Sequence, residues 1–358
     1  MEIPTIDLLP FHNSENQEML ITANKIANAC KNIGAFYVTT SKLPTFVNDS
    51  ETLHQLLRFF ELPVSIKNKI SAKHNVDHRG YVCSKNLESD ELREWIYMGD
   101  EDGDSYAKNQ WLEESELPGW KDAINSHFKL MSSTGNLLYQ AFSLALGKDR
   151  HFLEDKFDRE PTILLLRYPT GGKCPEHTDV GFLAINLLDP IGGLQIKTRG
   201  SNEWIDVSAR PNTFLCHIGD ALERVTNGLW YSVPHRVRHN KPGYRYGIVM
   251  FNNPHADSVI APLHHLKLVR IILEILLCSI HPIPRHFPIG LYSENEKTNS
   301  NLTITNHSTL NSISLKYIPV DVALGLPMFG RLYMWYRFIT FHSYLVQDAS
   351  SQSLGYLN

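Results

Sequence analysis

The segment CPEHTDVGFL, residues 174–183, places a histidine and an aspartate two positions apart, directly before an apolar run. His177 offers an imidazole nitrogen and Asp179 a carboxylate oxygen, and both groups bind divalent transition metals. A His-x-Asp pair by itself is more often part of a turn or a surface than of a metal site. The pair therefore becomes informative only if a third ligand approaches it in the folded chain.

His235 is the candidate third ligand, in the segment SVPHRVRHN, 56 residues after Asp179 (235 − 179). Only tertiary folding of a sheet could bring it to the pair. Two imidazoles and one carboxylate on one face of an octahedron leave three positions open. This arrangement is typical of non-haem Fe(II) centres that hold a co-substrate together with O₂. Other histidines of the same region remain alternative ligands: His217, His239 and His255.

Composition argues against several other classes of function. The 358 residues include 34 basic and 38 acidic side chains, a net charge of −4, which offers no positive surface for nucleic acid or an anionic membrane. The P-loop, the dinucleotide-binding glycine motif and the nucleophile elbow of hydrolases are absent. The N-terminal residues MEIPTIDLLPF lack the layout of a signal peptide. The cysteines are scattered and never form C-x-x-C, as is typical of reduced thiols in a cytosolic protein: Cys30, Cys83, Cys174, Cys216 and Cys278. We therefore expect a cytoplasmic protein.

The elements that must position the candidate ligands change character along the chain. Up to residue 150, short strands are predicted at IPTIDL and AFYVTT, and helices over 21–30, 46–60 and 120–146. After residue 160 the pattern becomes one of short β segments separated by Gly, Pro and Asn. Strands are predicted near 162–168, 182–188, 193–197, 203–207, 213–218, 231–238 and 244–251. Many short strands at close intervals favour a sandwich or barrel, such as a double-sheet jelly roll.

The same blocks of sequence resemble, in order, the Fe(II)/2-oxoglutarate-dependent dioxygenases of the isopenicillin N synthase-like family. The N-terminal blocks are IPTIDL, IANACKNIGAFYV, RFFELPVSIKNKI, HRGY and ELREWIYMGD, and the central helix is LPGWKDAINSHFKLM with LLYQAFSLALG. The catalytic blocks are LLLRYPTGG, EHTDVGFLAINLL, GGLQIK, FLCHIGDALERVTNG, SVPHRV and YRYGIVMFNNP. The resemblance covers about residues 1–263. It implies a mainly β fold with α: a double-stranded β-helix (jelly-roll) core flanked by N-terminal and central helices.

The resemblance also implies roles for individual residues. Three of them ligate Fe(II) and form the catalytic centre: His177, Asp179 and His235. Arg245 binds the distal carboxylate of 2-oxoglutarate, and Tyr168 donates a hydrogen bond to the same group. The family usually has a serine two residues after the arginine, and here that position is Gly247. The co-substrate is therefore expected to lose one hydroxyl contact.

Three regions are predicted along the chain: an N-terminal α/β region (1–150), a jelly-roll catalytic core (151–262) and a divergent C-terminal extension (263–358). Within the extension, residues 293–312 are polar and rich in Asn, Ser and Thr, a composition typical of a loop or of disorder. The usual ending of the family is not recognisable beyond Leu263. A divergent tail and an erroneous gene model would both produce such a sequence.

The activity implied is that of an oxidoreductase, an Fe(II)/2-oxoglutarate-dependent dioxygenase of specialised metabolism. It would couple O₂ and 2-oxoglutarate to the hydroxylation, desaturation or ring closure of a small molecule. Arg79 and Arg93 lie in N-terminal blocks near the mouth of the implied site; if either faces the metal, an amino-acid-like carboxylate substrate is favoured. Two alternatives remain, an oxidase of the same fold that does not use 2-oxoglutarate and a non-catalytic jelly-roll binding module. We expect a monomer with no nucleic-acid or membrane partner.

Overall fold

The computed structural model describes residues 2–13, 16–39, 50–84, 91–101, 108–157, 159–255 and 257–263. Its helices are α1 (Pro10–Asn13), α2 (Asn16–Asn32), α3 (Ser50–Leu56), α4 (Val64–Lys67), α5 (Trp120–Ala145), α6 (Phe152–Lys156) and α7 (Asp220–Val225). Its strands are β1 (Thr5–Asp7), β2 (Ala35–Thr39), β3 (Gly80–Cys83), β4 (Glu94–Gly99), β5 (Arg159–Tyr168), β6 (Gly172–His177), β7 (Leu183–Leu188), β8 (Leu194–Lys197), β9 (Trp204–Val207), β10 (Phe214–Ile218), β11 (His235–His239) and β12 (Arg245–Pro254). The predicted extension beyond Leu263, including residues 293–312, lies outside the described residues.

The strands form two sheets. One has eight strands in the order β1-β2-β10-β7-β12-β5-β4-β3, and the other has four in the order β6-β11-β8-β9. Buried side chains from both sheets share one hydrophobic cluster, so the sheets pack face to face: Tyr37, Leu166 and Leu215 come from the larger sheet, and Leu194, Ile196 and Val237 from the smaller. The predicted fold class, a double-stranded β-helix with flanking helices, is confirmed.

A second and larger hydrophobic cluster lies on the other face of the eight-stranded sheet, against the helices. Helix α5 was predicted over residues 120–146, and its apolar stripe contacts α2, β7 and β12. Trp120, Ile124, Phe128 and Met131 are buried at successive spacings of four, four and three residues, as one face of a helix requires. Gly147 follows the helix with a φ of 67°, a left-handed conformation in which glycine ends helices at little cost. The stripe therefore packs into the hydrophobic core.

Strand β5 supplies side chains to both faces of the sheet, because successive residues of a strand point to opposite sides. Leu164, Leu166 and Tyr168 face the smaller sheet, whereas Ile163 and Leu165 belong to the cluster under the helices. Both faces are therefore buried, which is why the sequence TILLLRY reads as a continuous apolar run. This alternation places Tyr168 between the two sheets.

Several elements differ from the prediction. Strands β3 and β4 and edge strand β6 were not predicted, and β11 begins at His235 instead of residue 231. Strand β6 has the sequence GKCPEH, and its proline is tolerated because an edge strand leaves some N–H groups unpaired. The helix predicted over 46–60 is α3 followed by a 3-10 turn at Arg58–Glu61, and residues 46–49 lie outside the described residues.

The N-terminal region is structurally continuous with the jelly roll. Strands β1 and β2 flank one edge of the larger sheet and β3 and β4 the other, so that residues 1–263 form one compact unit. The predicted boundary near residue 150 coincides with a change of secondary structure inside this unit. No helix among the described residues has the length and apolar character needed to cross a membrane.

Candidate active site

The three predicted metal ligands lie together between the sheets. His177 ends β6, and His235, which begins β11, is its cross-strand partner, while Asp179 lies in the connection from β6 to β7. The Asp179 Oδ1 atom is 3.9 Å from His177 Nε2 and 3.6 Å from His235 Nε2. One ligand atom from each residue lies within 4.8 Å of the other two. Antiparallel pairing of β6 with β11 is thus what brings the distant histidine to the His-x-Asp pair.

Both imidazoles are oriented by a backbone carbonyl two residues earlier. The Nδ1 atom of His177 is 2.9 Å from the Pro175 oxygen, and that of His235 is 3.1 Å from the Val233 oxygen. A carbonyl only accepts hydrogen bonds, so Nδ1 is the protonated nitrogen of each ring. The Nε2 atom that faces Asp179 is then the one available to a metal.

The two imidazoles differ in protonation. Burial, together with the neighbouring His217, lowers the pKa of His235 to about 3, so this ring is neutral at physiological pH. At His177 burial acts in the same direction, but the Cys174 sulfur, the Pro175 carbonyl and Asp179 outweigh it and raise its pKa to about 9. A metal bound at His177 would therefore displace a proton.

The carboxylate of Asp179 fits a site built for a cation. It is 9% exposed, and desolvation raises its pKa despite the neighbouring imidazoles. Its Oδ2 atom is buried and has no hydrogen-bond partner among the described residues. A buried carboxylate is strongly disfavoured without positive charge beside it. A divalent ion held by Oδ1 and the two Nε2 atoms would supply that charge in place of the proton on His177.

His217, one of the alternative ligands, lies beside this group and not in it. It is 1% exposed on β10, and its Nδ1 atom is 3.4 Å from Asp179 Oδ2. Its ring is 4.4 Å from that of His235, centre to centre. The other two alternatives lie elsewhere: His239 Nε2 is 3.0 Å from the Gly243 oxygen, and His255 is half exposed beside Asp257.

The predicted co-substrate residues face each other across β5 and β12. Arg245 is the cross-strand partner of Tyr168, and its guanidinium carbon lies 5.1 Å from the centre of the Tyr168 ring. The Arg245 Nε atom donates to the Gly192 oxygen at 2.7 Å. Burial raises the pKa of the Tyr168 hydroxyl, which keeps it a hydrogen-bond donor.

Arg245 has the properties of a receptor for an anion. It is 4% exposed, and burial lowers its pKa. Among the described residues no carboxylate forms an ion pair with it, and Asp189, whose charge acts on it, accepts backbone N–H groups of Ile191 and Tyr246 instead. A buried guanidinium without an ion-pair partner among the described residues favours a carboxylate ligand, which it can bind through two parallel hydrogen bonds.

One cavity of about 510 Å³, part of it open to solvent, connects the metal triad with Arg245 and Tyr168. Its wall is mostly apolar: Leu164, Leu166, Leu187, Leu194, Val237 and Phe251. Cys174 and Asn186 also line it and were not singled out from the sequence. Asn186 could have been singled out from the sequence, because it is the polar residue in the otherwise apolar run FLAINLL.

The two N-terminal arginines have different positions. Arg93 lines the cavity with the triad. Arg79 is 3% exposed and fills the space that a Cβ atom at Gly99 would occupy, away from the cavity lining.

Gly247 lines the cavity, and a Cβ atom there would lie 3.6 Å from Arg245 Nη1, an ordinary contact distance.

Two family models match the chain. Residues 161–254 match the 2OG-Fe(II) oxygenase superfamily, and residues 3–114 match the N-terminal model described as non-haem dioxygenase in morphine synthesis. A 1-aminocyclopropane-1-carboxylate oxidase of Dictyostelium discoideum is 29% identical over 314 residues, covering 72% of this chain and 83% of the relative. A homoarginine-6-hydroxylase of Arabidopsis thaliana is 30% identical over 298 residues, covering 74% and 81%.

Solved structures are similar to the same part of the chain. A full-length Neurospora crassa protein in complex with alpha-KG (2-oxoglutarate) and thymine has a TM-score of 0.63 and 25% identity, covering 73% of this chain and 88% of that one. Sequence, fold and the ligand types in the cavity therefore agree on Fe(II), 2-oxoglutarate and O₂ as the reactive partners. The chain belongs to the 2OG-Fe(II) oxygenase superfamily, whose members are Fe(II)/2-oxoglutarate-dependent oxidoreductases.

Proposed function

We propose that this oxygenase holds its Fe(II) with His177, Asp179 and His235 and oxidises a small organic molecule bound in the cavity between the sheets. The observation that carries the assignment is the approach of Asp179 Oδ1 to the Nε2 atoms of both histidines. When bound, the iron supplies the redox chemistry that activates O₂. In a hydroxylation one oxygen atom of O₂ enters the substrate C–H bond and the other enters succinate, while CO₂ leaves 2-oxoglutarate.

The protein side chains bind, orient and exclude water. Arg245 and Tyr168 hold the distal carboxylate of 2-oxoglutarate at the buried end of the cavity, and Arg245 needs that anion because the described residues offer it no carboxylate. The apolar wall keeps water from the reacting centre, as a cavity for a reactive oxidant requires. The Nδ1 hydrogen bonds keep both imidazoles turned towards the metal.

The two alternatives are less well supported. An oxidase that does not use 2-oxoglutarate would have no need for a buried Arg245 guanidinium that has no carboxylate partner among the described residues. A non-catalytic binding module would have no need for three convergent metal ligands.

The names of the relatives and of the solved complex contain 1-aminocyclopropane-1-carboxylate, homoarginine and thymine, all small polar molecules. We place the substrate of this enzyme in that size class and its reaction in specialised metabolism.

The assignment is tested by anaerobic titration of the Fe(II) enzyme with 2-oxoglutarate, followed by its metal-to-ligand charge-transfer absorption. His177→Ala should abolish the band and succinate formation. Arg245→Ala should weaken 2-oxoglutarate binding by more than about a hundredfold, the usual consequence of breaking a buried ion pair. His255→Ala, outside the cavity, is the matched control. An Arg245→Ala variant that binds 2-oxoglutarate as tightly as wild type would favour the oxidase alternative.

We further infer that the enzyme acts as a cytoplasmic monomer without nucleic-acid or membrane partners. The net charge of −4 and the scattered cysteines support this inference. Light scattering behind a sizing column tests the monomer, and a dimeric mass at micromolar concentration would contradict it.

A further inference from the structure

Asn186 places an amide group in the mostly apolar wall of the cavity. It lies on β7, lines the cavity and is 6% exposed. Its Nδ2 atom donates to the backbone oxygen of Leu215, its cross-strand partner on β10, at 3.4 Å. A carbonyl only accepts hydrogen bonds, so this contact identifies the side of the amide that carries the N–H groups. The second N–H group and the Oδ1 atom have no hydrogen-bond partner among the described residues.

A buried amide with only one of its hydrogen bonds formed is costly, because its other polar atoms have left water without gaining a partner. Most buried polar side chains in proteins are hydrogen-bonded, and an exception calls for a specific reason. A leucine would fill this part of the wall without that cost, as leucines do elsewhere in the cavity. The amide therefore indicates that a bound molecule presents a polar group at this point.

Strand register places Asn186 between the co-substrate residues and the metal ligands. The inner face of the eight-stranded sheet carries four successive rows from one end to the other: Arg245 with Tyr168, Gly247 with Leu188, Val249 with Asn186, and Phe251 with Ala184 and His217. Consecutive rows are about 7 Å apart, because a strand advances by about 3.3 Å per residue. The last row lies at the metal site, since His217 Nδ1 is 3.4 Å from Asp179 Oδ2. A molecule that reaches from Arg245 to the metal ligands must pass Asn186.

The depth of Asn186 in the cavity matches that of the co-substrate residues. The His177 side chain is 42% exposed, which marks the side of the metal site that is open to solvent. Arg245 is 4% exposed and Asn186 6%, so both lie on the closed side. With its distal carboxylate at Arg245, 2-oxoglutarate directs its 2-oxo group and 1-carboxylate towards the metal ligands. That end of the co-substrate is the one that approaches Asn186.

We propose that Asn186 donates its second N–H group to the 1-carboxylate of 2-oxoglutarate. The Arg245 guanidinium and the single Tyr168 hydroxyl proton remain with the distal carboxylate, so each end of the co-substrate has its own donor. A carboxylate accepts from several donors at once, which leaves its other oxygen sites to the metal. The inference rests on the proposed function and adds a binding residue to its co-substrate site.

The test is an anaerobic titration of the full-length Fe(II) enzyme with 2-oxoglutarate, followed by the charge-transfer absorption. Asn186→Leu removes the N–H groups and nearly preserves the volume of the side chain. It should weaken 2-oxoglutarate binding by about tenfold to a hundredfold, the usual loss of a hydrogen bond to a charged group. Asn186→Val, a second variant suited to a strand, should show the same loss. Fe(II) affinity without 2-oxoglutarate, measured by chelator competition, should stay within about threefold of wild type, because the metal ligands are unchanged.

A second molecule, 4-oxopentanoate, locates the contact. It keeps the oxo group and the distal carboxylate of 2-oxoglutarate but has a methyl group in place of the 1-carboxylate. Its affinity is measured by competition with 2-oxoglutarate in the same titration. Asn186→Leu should leave this affinity within about threefold of wild type, because the lost donor had no acceptor on this molecule. Val249→Ala is the matched control: it alters the apolar wall beside Asn186 and should change the affinities of both molecules in equal proportion.

The outcomes separate this inference from the proposed function. If the charge-transfer band does not form in the wild-type enzyme, the proposed metal and co-substrate site is wrong and the inference falls with it. If the band forms and Asn186→Leu binds 2-oxoglutarate as tightly as wild type, only the inference is overturned. Equal weakening of 2-oxoglutarate and 4-oxopentanoate also overturns it, because that result assigns the loss to the shape of the cavity. Melting temperatures within a few degrees of wild type show that a variant has folded.

Discussion

At the scale of single residues, the candidate site depends on the groups that orient its ligand side chains. Each imidazole is held by the carbonyl two residues before it, in the local sequences PEH and VPH. Asp179 has no such local support: Oδ1 faces the two histidines, and Oδ2 faces only the buried Nδ1 atom of His217. The two carboxylate oxygens thus face different neighbours: Oδ1 faces the two candidate histidine ligands, and Oδ2 lies 3.4 Å from His217 Nδ1 without a hydrogen bond among the described residues.

We expect His217→Leu to weaken Fe(II) binding by about tenfold to a hundredfold, the usual loss when a residue that supports a metal ligand is removed. His217→Asn, whose amide offers a polar N–H group near Oδ2, should recover part of the affinity. Competition with a chromophoric chelator measures both affinities. Equal affinities for wild type and His217→Leu would mean that His217 only fills space.

Gly247 provides a second prediction at this scale. A Cβ atom here meets Arg245 Nη1 at 3.6 Å and Leu166 Cδ1 at 3.8 Å, so a serine fits without displacing its neighbours. One added neutral hydrogen bond stabilises a complex by roughly 1 kcal/mol, and Gly247→Ser should tighten 2-oxoglutarate binding by about fivefold. Gly247→Ala, which fills the same space without a hydroxyl, is the control. Equal tightening in both variants would assign the effect to packing.

At the scale of elements, register and helix packing position the site. Strands β5 and β12 pair over ten residues, which sets Tyr168 opposite Arg245. A slip by one residue would turn Arg245 to the opposite face of the sheet.

Helix α5 covers that opposite face. It carries a histidine in an apolar core: His127 is 1% exposed, and neither ring nitrogen has a hydrogen-bond partner among the described residues.

His127 should make the stability of the protein depend on pH. Burial lowers its pKa from 6.5 to about 4. Between these values the unfolded chain binds a proton that the folded chain does not, so the free energy of unfolding falls as the pH falls. A shift of one pKa unit corresponds to about 1.4 kcal/mol, so the free energy of unfolding is lower by about 3 kcal/mol at pH 4 than at neutral pH. His127→Leu should remove this part of the loss, as urea unfolding at pH 7, 6, 5 and 4.5 would measure. Parallel loss of stability in both proteins would contradict the assignment to His127.

At the scale of the whole molecule, residues 1–263 are one unit, and the site draws on nearly all of it. Arg93 comes from the N-terminal region, Tyr168 and the candidate metal ligands from the jelly roll, and Arg245 from its last described strand. The N-terminal region therefore completes the larger sheet and also contributes a wall of the cavity.

Because every candidate site residue lies within residues 1–263, we expect deletion of residues 293–312 to leave the site intact. Their polar composition cannot bury enough apolar surface to offset the entropy of ordering. The deletion variant should bind Fe(II) and 2-oxoglutarate with wild-type affinity and melt within a few degrees of wild type. Loss of the charge-transfer band in the deletion variant would show that the segment supports the site.

The sequence by itself determined the residue types and the local elements. Helix α5 follows from its three-and-four spacing, strands β5, β7 and β12 follow from apolar runs between turns, and the ordered blocks identify the family and its ligand set. Edge strand β6 did not follow, because an exposed strand with a proline has no local pattern that differs from a loop.

Only the tertiary structure decided which of several chemically equivalent residues face the cavity. Arg79 and Arg93 have similar local surroundings in the sequence, yet one packs against Gly99 and the other lines the cavity. His217, His239 and His255 were equal candidates, and only His217 lies beside Asp179. The physical reason is that a side chain's partners depend on strand pairing across tens of residues. Local propensity and periodicity carry no information about that pairing.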